Sequence, residues 1–547
     1  MRINNVTRRL FGAVLLVSSS AYSLHAQLGT PPTQPIRQYI DSAWDNLSRS
    51  MQECASLKDV KVTTAPVLYL PADVPTPAAV AALHAGCGVE IAHLPRPIKR
   101  LGQVMPQELS RPGLLYLPNR YVVPGGRFNE MYGWDSYFIV LGLTEDGRTE
   151  LARGMVENFF YEIKHYGALL NANRTYFLTR SQPPLLAEMI REVHTQDQAT
   201  GKDTSHDWIR SAYAAAQADY ALWTSAEHRA GTTGLARFFD IGEGPVLEMA
   251  DDSSYYPDAI RWMLVHRVEG ASYLVAAAKG DRASCDQVLT AVCRHAEVDG
   301  MRLTRDFYRG DRAMRESGFD TSFRFGAFSG STHQFAPVCL NSLLYRYELD
   351  MAAFSKELGR SQEETLWRHR ARARLVAMNH YLWSAAQGQF VDYNFVTRRQ
   401  STYLYSTIFY PLWAGVATKP QAASIVKHLS QLELDHGLAM SGDQTGMQWD
   451  RPFGWAPEVW FAVEGLRAAS FPKDADRLAG KFRSVVETNY TKDGTIREKY
   501  NVATGSADVR LAAGYKANGL GFGWTNGVYL RFLPKPAGPS KEQARGQ

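Results

Sequence analysis

Five short segments of this 547-residue chain concentrate residue types that can do chemistry. The first runs Pro124-Gly125-Gly126-Arg127-Phe128-Asn129-Glu130-Met131-Tyr132-Gly133-Trp134-Asp135. Its paired glycines permit a tight turn that lets Arg127 project into a cleft. An indole such as Trp134 can cover the C–H face of a sugar ring, while Arg127 and Asp135 can hold hydroxyls in fixed directions. The second segment, Asn171 to Pro184, crowds hydrogen-bonding side chains, Asn171 and Arg180 among them, ahead of a Pro pair that starts a helix. The third, Gln448-Trp449-Asp450-Arg451-Pro452-Phe453-Gly454-Trp455, again sets amide, acid and aromatics on a loop entering a helix. The fourth is Arg315-Glu316-Ser317-Gly318-Phe319-Asp320, followed by Phe323 and Phe325. The fifth is Arg497-Glu498-Lys499-Tyr500, followed by the Gly-rich stretch Gly521–Gly527. Phenyl neighbours would favour a protonated carboxyl at Asp320, and cationic neighbours an ionised one at Glu498. One acid of each kind is the equipment of general acid–base chemistry. On the residues alone, each acid could equally be ion-paired on a loop.

Those loops need a frame, and the frame reads as helical. Helical periodicity appears near 38–54, 149–166, 206–229, 257–278, 337–358, 361–384, 419–434, 456–470 and 474–489. Many of these segments are apolar on more than one face, as expected for helices packed between neighbours. Strand-like alternation is confined to short pieces such as Gly388–Tyr393. One echo stands out: Gly388, Phe390 and Asp392 repeat the spacing of Gly494, Ile496 and Glu498, each after a helix. Repeated helix–loop units that deliver polar residues to one end would suit a toroid of paired helices. The tail from Pro534 is rich in Pro, Gly and Lys and predicts disorder.

Composition narrows the function classes. The chain is 45% hydrophobic and 21% charged with a net charge of +5, values of a folded globular protein. No basic block tracks nucleic acid or an anionic membrane, so neither is expected as a partner. Arg2, Arg8 and Arg9 precede an apolar run, Leu10–Val17, and small residues up to Ala26. That pattern predicts a secretory signal peptide over 1–26, with a twin-arginine element, and a periplasmic or secreted protein. Residues 27–533 then read as one catalytic domain with an N-terminal extension to about 120. Of five cysteines, Cys54–Cys87 and Cys285–Cys293 are candidate disulfides, leaving Cys339 as a buried thiol. No metal-ligand motif occurs, so neither metal nor cofactor is expected.

Taken together, the segments resemble the trehalase family of glycoside hydrolases. The first and third match that family's two signature patterns at every fixed position, and the resemblance runs from about Pro124 to Gly527. It implies an all-α (α/α)6 barrel and an inverting hydrolysis of α,α-trehalose to two glucoses by a monomer. It also implies that Asp320 is the general acid and Glu498 the general base, about 6.5–9.5 Å apart to leave room for a water. Arg127, Trp134, Asp135, Asn171, Arg180 and Gly318 fall on sugar-contacting positions, and Trp449 on a loop that walls the pocket.

Two segments depart from the family pattern. An Arg-Pro-Glu-Ser-Tyr segment that grips one glucose is replaced by Pro245–Tyr256, without its Arg. A Gly-rich loop ending in Glu-Tyr-Pro is replaced by Gly514-Tyr515-Lys516, which puts Tyr515 in place of an acid. Phe319 stands for a usual Trp and Cys339 for a usual Asp. These changes keep two alternatives open: a related hydrolase of another α-glucoside or a modified trehalose, and a non-catalytic sugar-binding protein on the same fold.

Overall fold

The computed structural model describes residues 32, 34–58, 65–201, 206–251, 254–277, 296–511 and 518–534. The expected signal peptide, the Cys285–Cys293 pair, Tyr515 and the tail beyond 534 lie outside the described residues.

The chain closes a ring of six inner helical positions. In order these are Gly133–Glu145, Leu186–Thr200, Val338–Glu357, the short Ser406–Trp413 turn, Ala456–Ala468 and Gly523–Arg531. Each packs on the next, and the last packs back on the first. Outer helices brace them: Thr149–Tyr166, Asp207–Trp223, Ser361–Tyr381, Lys419–Val426, Pro472–Asp493 and, from the N-terminal end, Ile36–Asn46. This is the expected (α/α)6 barrel. Three-stranded and two-stranded sheets are small additions, including a parallel set Val67–Leu70, Glu90–His93 and Leu114–Leu115 in the N-terminal extension.

Inner and outer helices have different sequences for a physical reason. Thr149–Tyr166 leaves one face to solvent, and its periodicity predicts its bounds. Gly133–Glu145 buries every residue except its last, and Gly523–Arg531 likewise. Helices buried all round lose the polar face that makes periodicity visible. Sequence reading therefore missed both; it also missed Arg305–Glu316, while the Pro183-Pro184 pair marked the start of Leu186–Thr200. Glycine permits the closest inner contact: a Cβ at Gly527 would sit 2.0 Å from the carbonyl oxygen of Phe138.

Outside the ring, a second small core gathers Tyr255, Tyr256, Ile260, Phe307 and Phe328 around the helices Tyr255–Val265 and Arg305–Glu316. The second of these helices feeds directly into the Asp320 loop. Cys54 and Cys87 form a disulfide, and Cys339 is a buried free thiol. Among the described residues no helix is long and apolar enough to cross a membrane.

Candidate active site

The inner helices open at one end onto a cavity of about 150 Å³ whose lining includes both Asp320 and Glu498. Arg127, Trp134, Asp135, Gly318 and Trp449 also line it, so most of the residues singled out in sequence converge there. Asn171 and Arg180 are instead packed beneath the wall. The Arg180 guanidinium donates to Asn171 Oδ1 (3.4 Å), pairs with Glu248 and lies 3.5 Å from Asp240. Glu248 is the member of that group that reaches the cavity.

Trp134 and Asp135 occupy the first turn of Gly133–Glu145. That helix start is pinned to the second segment: Gly133 N–H donates to the Asn171 carbonyl (3.1 Å) and Trp134 N–H to Gln182 Oε1 (2.9 Å). Burial holds the Asp135 carboxyl well above the usual carboxylate range, and the negative charges of Glu498 and Asp320 push it further.

Asp320 is set by the exit from Arg305–Glu316. Glu316, wholly buried at the end of that helix, accepts from Ser181 N–H (3.2 Å) and Phe239 N–H (2.6 Å) and pairs with His228. This ties the acid loop to the Arg180 loop. Gly318 then turns at φ +78°, where a Cβ would meet Trp134 Cε2 at 2.7 Å, so only glycine fits. The next peptides are held by the third segment: Gln448 Nε2 donates to the Asp320 carbonyl, and Trp449 N–H to the Thr321 carbonyl (3.0 Å). The Asp320 side chain keeps 24% of its surface open to the cavity while protein encloses the rest. Burial pushes its pKa up to about 7, against the lowering pull of Arg315 and Arg180. The phenyl groups adjacent in sequence are not the ones that enclose it: Phe319 packs edge-on to Trp134 and Trp449, but Phe323 packs on Trp262 and Phe325 on Phe335.

Glu498 follows Pro472–Asp493, which ends at Gly494 with φ +68°. Its Oε2 accepts from Gly519 N–H and from Lys499 Nζ, each at 3.1 Å. Arg497, expected to add its charge, pairs with Asp493 instead. The echo with Gly388–Asp392 splits by function. Glu498 faces the cavity, whereas Asp392 is buried against the Arg324 guanidinium (2.6 Å).

A wall of indoles completes the site. Trp449 and Trp455 stack at 3.9 Å, and Trp524 meets both near 80°. Aromatic faces beside convergent acids, amides and a guanidinium suit a compact polyhydroxy ligand.

Glu248, Gln182, Gln448 and Arg315 also belong to this arrangement, although the sequence reading gave none of them a site role. The segment Pro245–Tyr256 lacks the gripping Arg of the family pattern. Its Glu248 reaches the cavity, and Arg315, from the helix of the acid, lies 3.7 Å from Asp320. The visible signal was Glu248 itself, three residues after Pro245.

The trehalase family model matches residues 25–536, so it also takes in the region before Pro124. The cytosolic neutral trehalase of Saccharomyces cerevisiae is 33% identical over 92% of this chain and 72% of its own length. That of Neurospora crassa is 36% identical over 75% of this chain and 57% of its own length. Among solved structures, neutral trehalase Nth1 from Saccharomyces cerevisiae superposes with a TM-score of 0.73 at 31% identity, covering 91% of this chain and 92% of that one. A GH63 mannosylglycerate hydrolase from Thermus thermophilus shares the fold, with a TM-score of 0.52 and 19% identity over 76% of this chain and 96% of that one. These relatives correct one expectation. The names of the Saccharomyces cerevisiae and Neurospora crassa enzymes place those two in the cytosol, which points away from the periplasmic or secreted location read from the first residues.

Proposed function

The chain belongs to the trehalase family of glycoside hydrolases, and from that membership we propose how its site works. It hydrolyses α,α-trehalose to two molecules of glucose, and the reaction inverts the anomeric centre. Asp320 is the general acid. Its carboxyl, pushed up to about 7, still carries its proton in mildly acidic to neutral solution and delivers it to the glycosidic oxygen as the C–O bond breaks. Glu498 is the general base. It removes a proton from a water that attacks the anomeric carbon from the opposite face. One glucose leaves as the β-anomer formed by that attack, the other as the α-anomer that kept its bond to oxygen.

The observation that carries this reading is the meeting of two unlike carboxyls in one indole-walled cavity. Asp320 is enclosed with the Arg315 guanidinium at 3.7 Å and shared with Asp311, whereas Glu498 accepts two N–H donors on one oxygen. Arg127, Trp134, Asp135, Gly318 and Trp449 contact the sugar directly, while Asn171 and Arg180 act through Glu248. Arg315 supplies a guanidinium near Asp320, which supports trehalose over another α-glucoside as the substrate despite the altered Pro245–Tyr256 segment.

The test is a glucose-release assay on trehalose, with anomers followed by proton NMR. Asp320→Asn and Glu498→Gln should each lower kcat by roughly 10²–10⁴-fold without loss of fold. Near-normal turnover in either variant, or α-glucose as the sole first product, refutes the assignment.

A further inference from the structure

Lys499 is an unusual strand residue because its side chain has no exposed surface. It lies on the short strand Lys499–Asn501, paired antiparallel with Phe453–Trp455 so that Lys499 stands directly opposite Trp455. Directly opposed residues of such a pair project to the same face. The Lys499 ammonium accordingly sits 4.7 Å from the Trp455 ring centroid. From there it donates to Glu498 Oε2 at 3.1 Å. The Lys499 backbone is fixed as well. Its N–H donates to Asn518 Oδ1 (3.2 Å), and Asn518 Nδ2 donates to its carbonyl (3.0 Å). Burying an ammonium costs several kcal/mol before its partners offset it. An aliphatic side chain of the same length would fill this space at less cost, so packing alone does not account for a lysine.

We infer that Lys499 is a positioning residue for the base: clamped on the Trp455 face, it and Gly519 N–H anchor Oε2 of Glu498, which leaves Oε1 as the oxygen that takes the proton from water. The inference rests on the reading of Glu498 as the base. Lys499 is also the nearest cation to a carboxylate that must stay ionised beside other acids. Asp135, on Gly133–Glu145, faces the same cavity, and the charge of Glu498 raises its pKa further. Asp320 stands on the same cavity, and Arg127 lines it. Arg497, the other neighbouring cation, is paired to Asp493. Replacing Lys499 with a neutral residue removes the cation that contacts Glu498 Oε2.

The experiment compares pH profiles of kcat and kcat/KM for Lys499→Met, Lys499→Arg and Glu498→Gln on trehalose. In Lys499→Met the acidic limb should move about one pH unit or more upward, the shift expected when an adjacent opposite charge is removed. Its kcat should fall by roughly 10–100-fold, with KM changed less than about threefold, because orientation is lost while the sugar contacts remain. Lys499→Arg keeps the charge and should leave the limb in place. An unmoved limb in a folded Lys499→Met overturns the inference while leaving the base intact if Glu498→Gln is inactive. An active Glu498→Gln overturns the base assignment itself. If Lys499→Met does not fold, Trp455→Phe carries the test: a weakened ring under the ammonium should move the limb the same way by a smaller amount, and an unmoved limb overturns the inference.

Discussion

Arg315 Nη1 lies 3.7 Å from Asp320 Oδ2, and still the Asp320 carboxyl is pushed up to about 7. The reason is that the guanidinium is shared. Arg315 also reaches Asp311 at 3.3 Å and lies over the Tyr255 ring at 5.1 Å. Desolvation of Asp320 outweighs what remains of its pull.

The sign of the next prediction follows from that balance. A neighbouring cation favours the carboxylate, so its removal favours the protonated acid. Activity that needs a protonated Asp320 is present at low pH and lost as pH rises through about 7. In Arg315→Met the basic limb of kcat/KM should move toward higher pH, by about half a unit or more. A limb that stays put or moves to lower pH in that variant would show that Asp320 is not the group titrating there.

Gly318 offers a steric test. Alanine there must adopt φ +78° and place its Cβ 2.7 Å from the Trp134 ring. Such strain costs about 1–3 kcal/mol and displaces either the acid or the indole. Gly318→Ala should lose roughly 10–100-fold in kcat/KM, since small misplacements of reacting groups are amplified in rate. Wild-type kinetics in this variant would mean that the loop relaxes freely.

Stability should depend on Arg180 more than on any residue at the cavity surface. Its guanidinium is buried between Glu248 and Asp240, and it also faces the Phe177 ring at 4.9 Å. Arg180→Met strands Glu248, leaves Asp240 to Arg312 at 3.3 Å, and should cost about 3–5 kcal/mol in urea unfolding. The double variant Arg180→Met with Glu248→Gln should recover part of that loss. Equal stability of single and double variants would deny the pairing.

Cys339 should be chemically silent in the native protein. Burial pushes its thiol up to about 11 even though Arg324 Nη1 approaches its sulfur at 3.4 Å. A protonated, enclosed thiol is neither nucleophilic nor accessible. Iodoacetamide at neutral pH should label the Cys339 peptide only after unfolding, as read by peptide mass mapping. Rapid labelling of folded protein would contradict its burial.

Local sequence determined the pieces of this protein. Paired glycines before Arg127, the Gly318 turn ahead of Asp320 and the Gly494 helix end ahead of Glu498 are short-range features, legible because backbone conformation depends on a few adjacent residues. Amphipathic outer helices such as Thr149–Tyr166 were legible for the same kind of reason, since a face exposed to water leaves a periodic trace. The inner helix Gly133–Glu145 left no such trace, because neighbours enclose it on every side.

Tertiary structure decided which neighbours count. Phe323 and Phe325 follow Asp320 closely yet turn to other cores, and Arg497 turns to Asp493 while Lys499 turns to Glu498. Glu248, from a segment that lacks the family's Arg, lines the cavity and pairs with Arg180. Charge and solvation act through space over a few ångströms, so the pKa of a carboxyl follows the groups that fold around it and not those beside it in the chain.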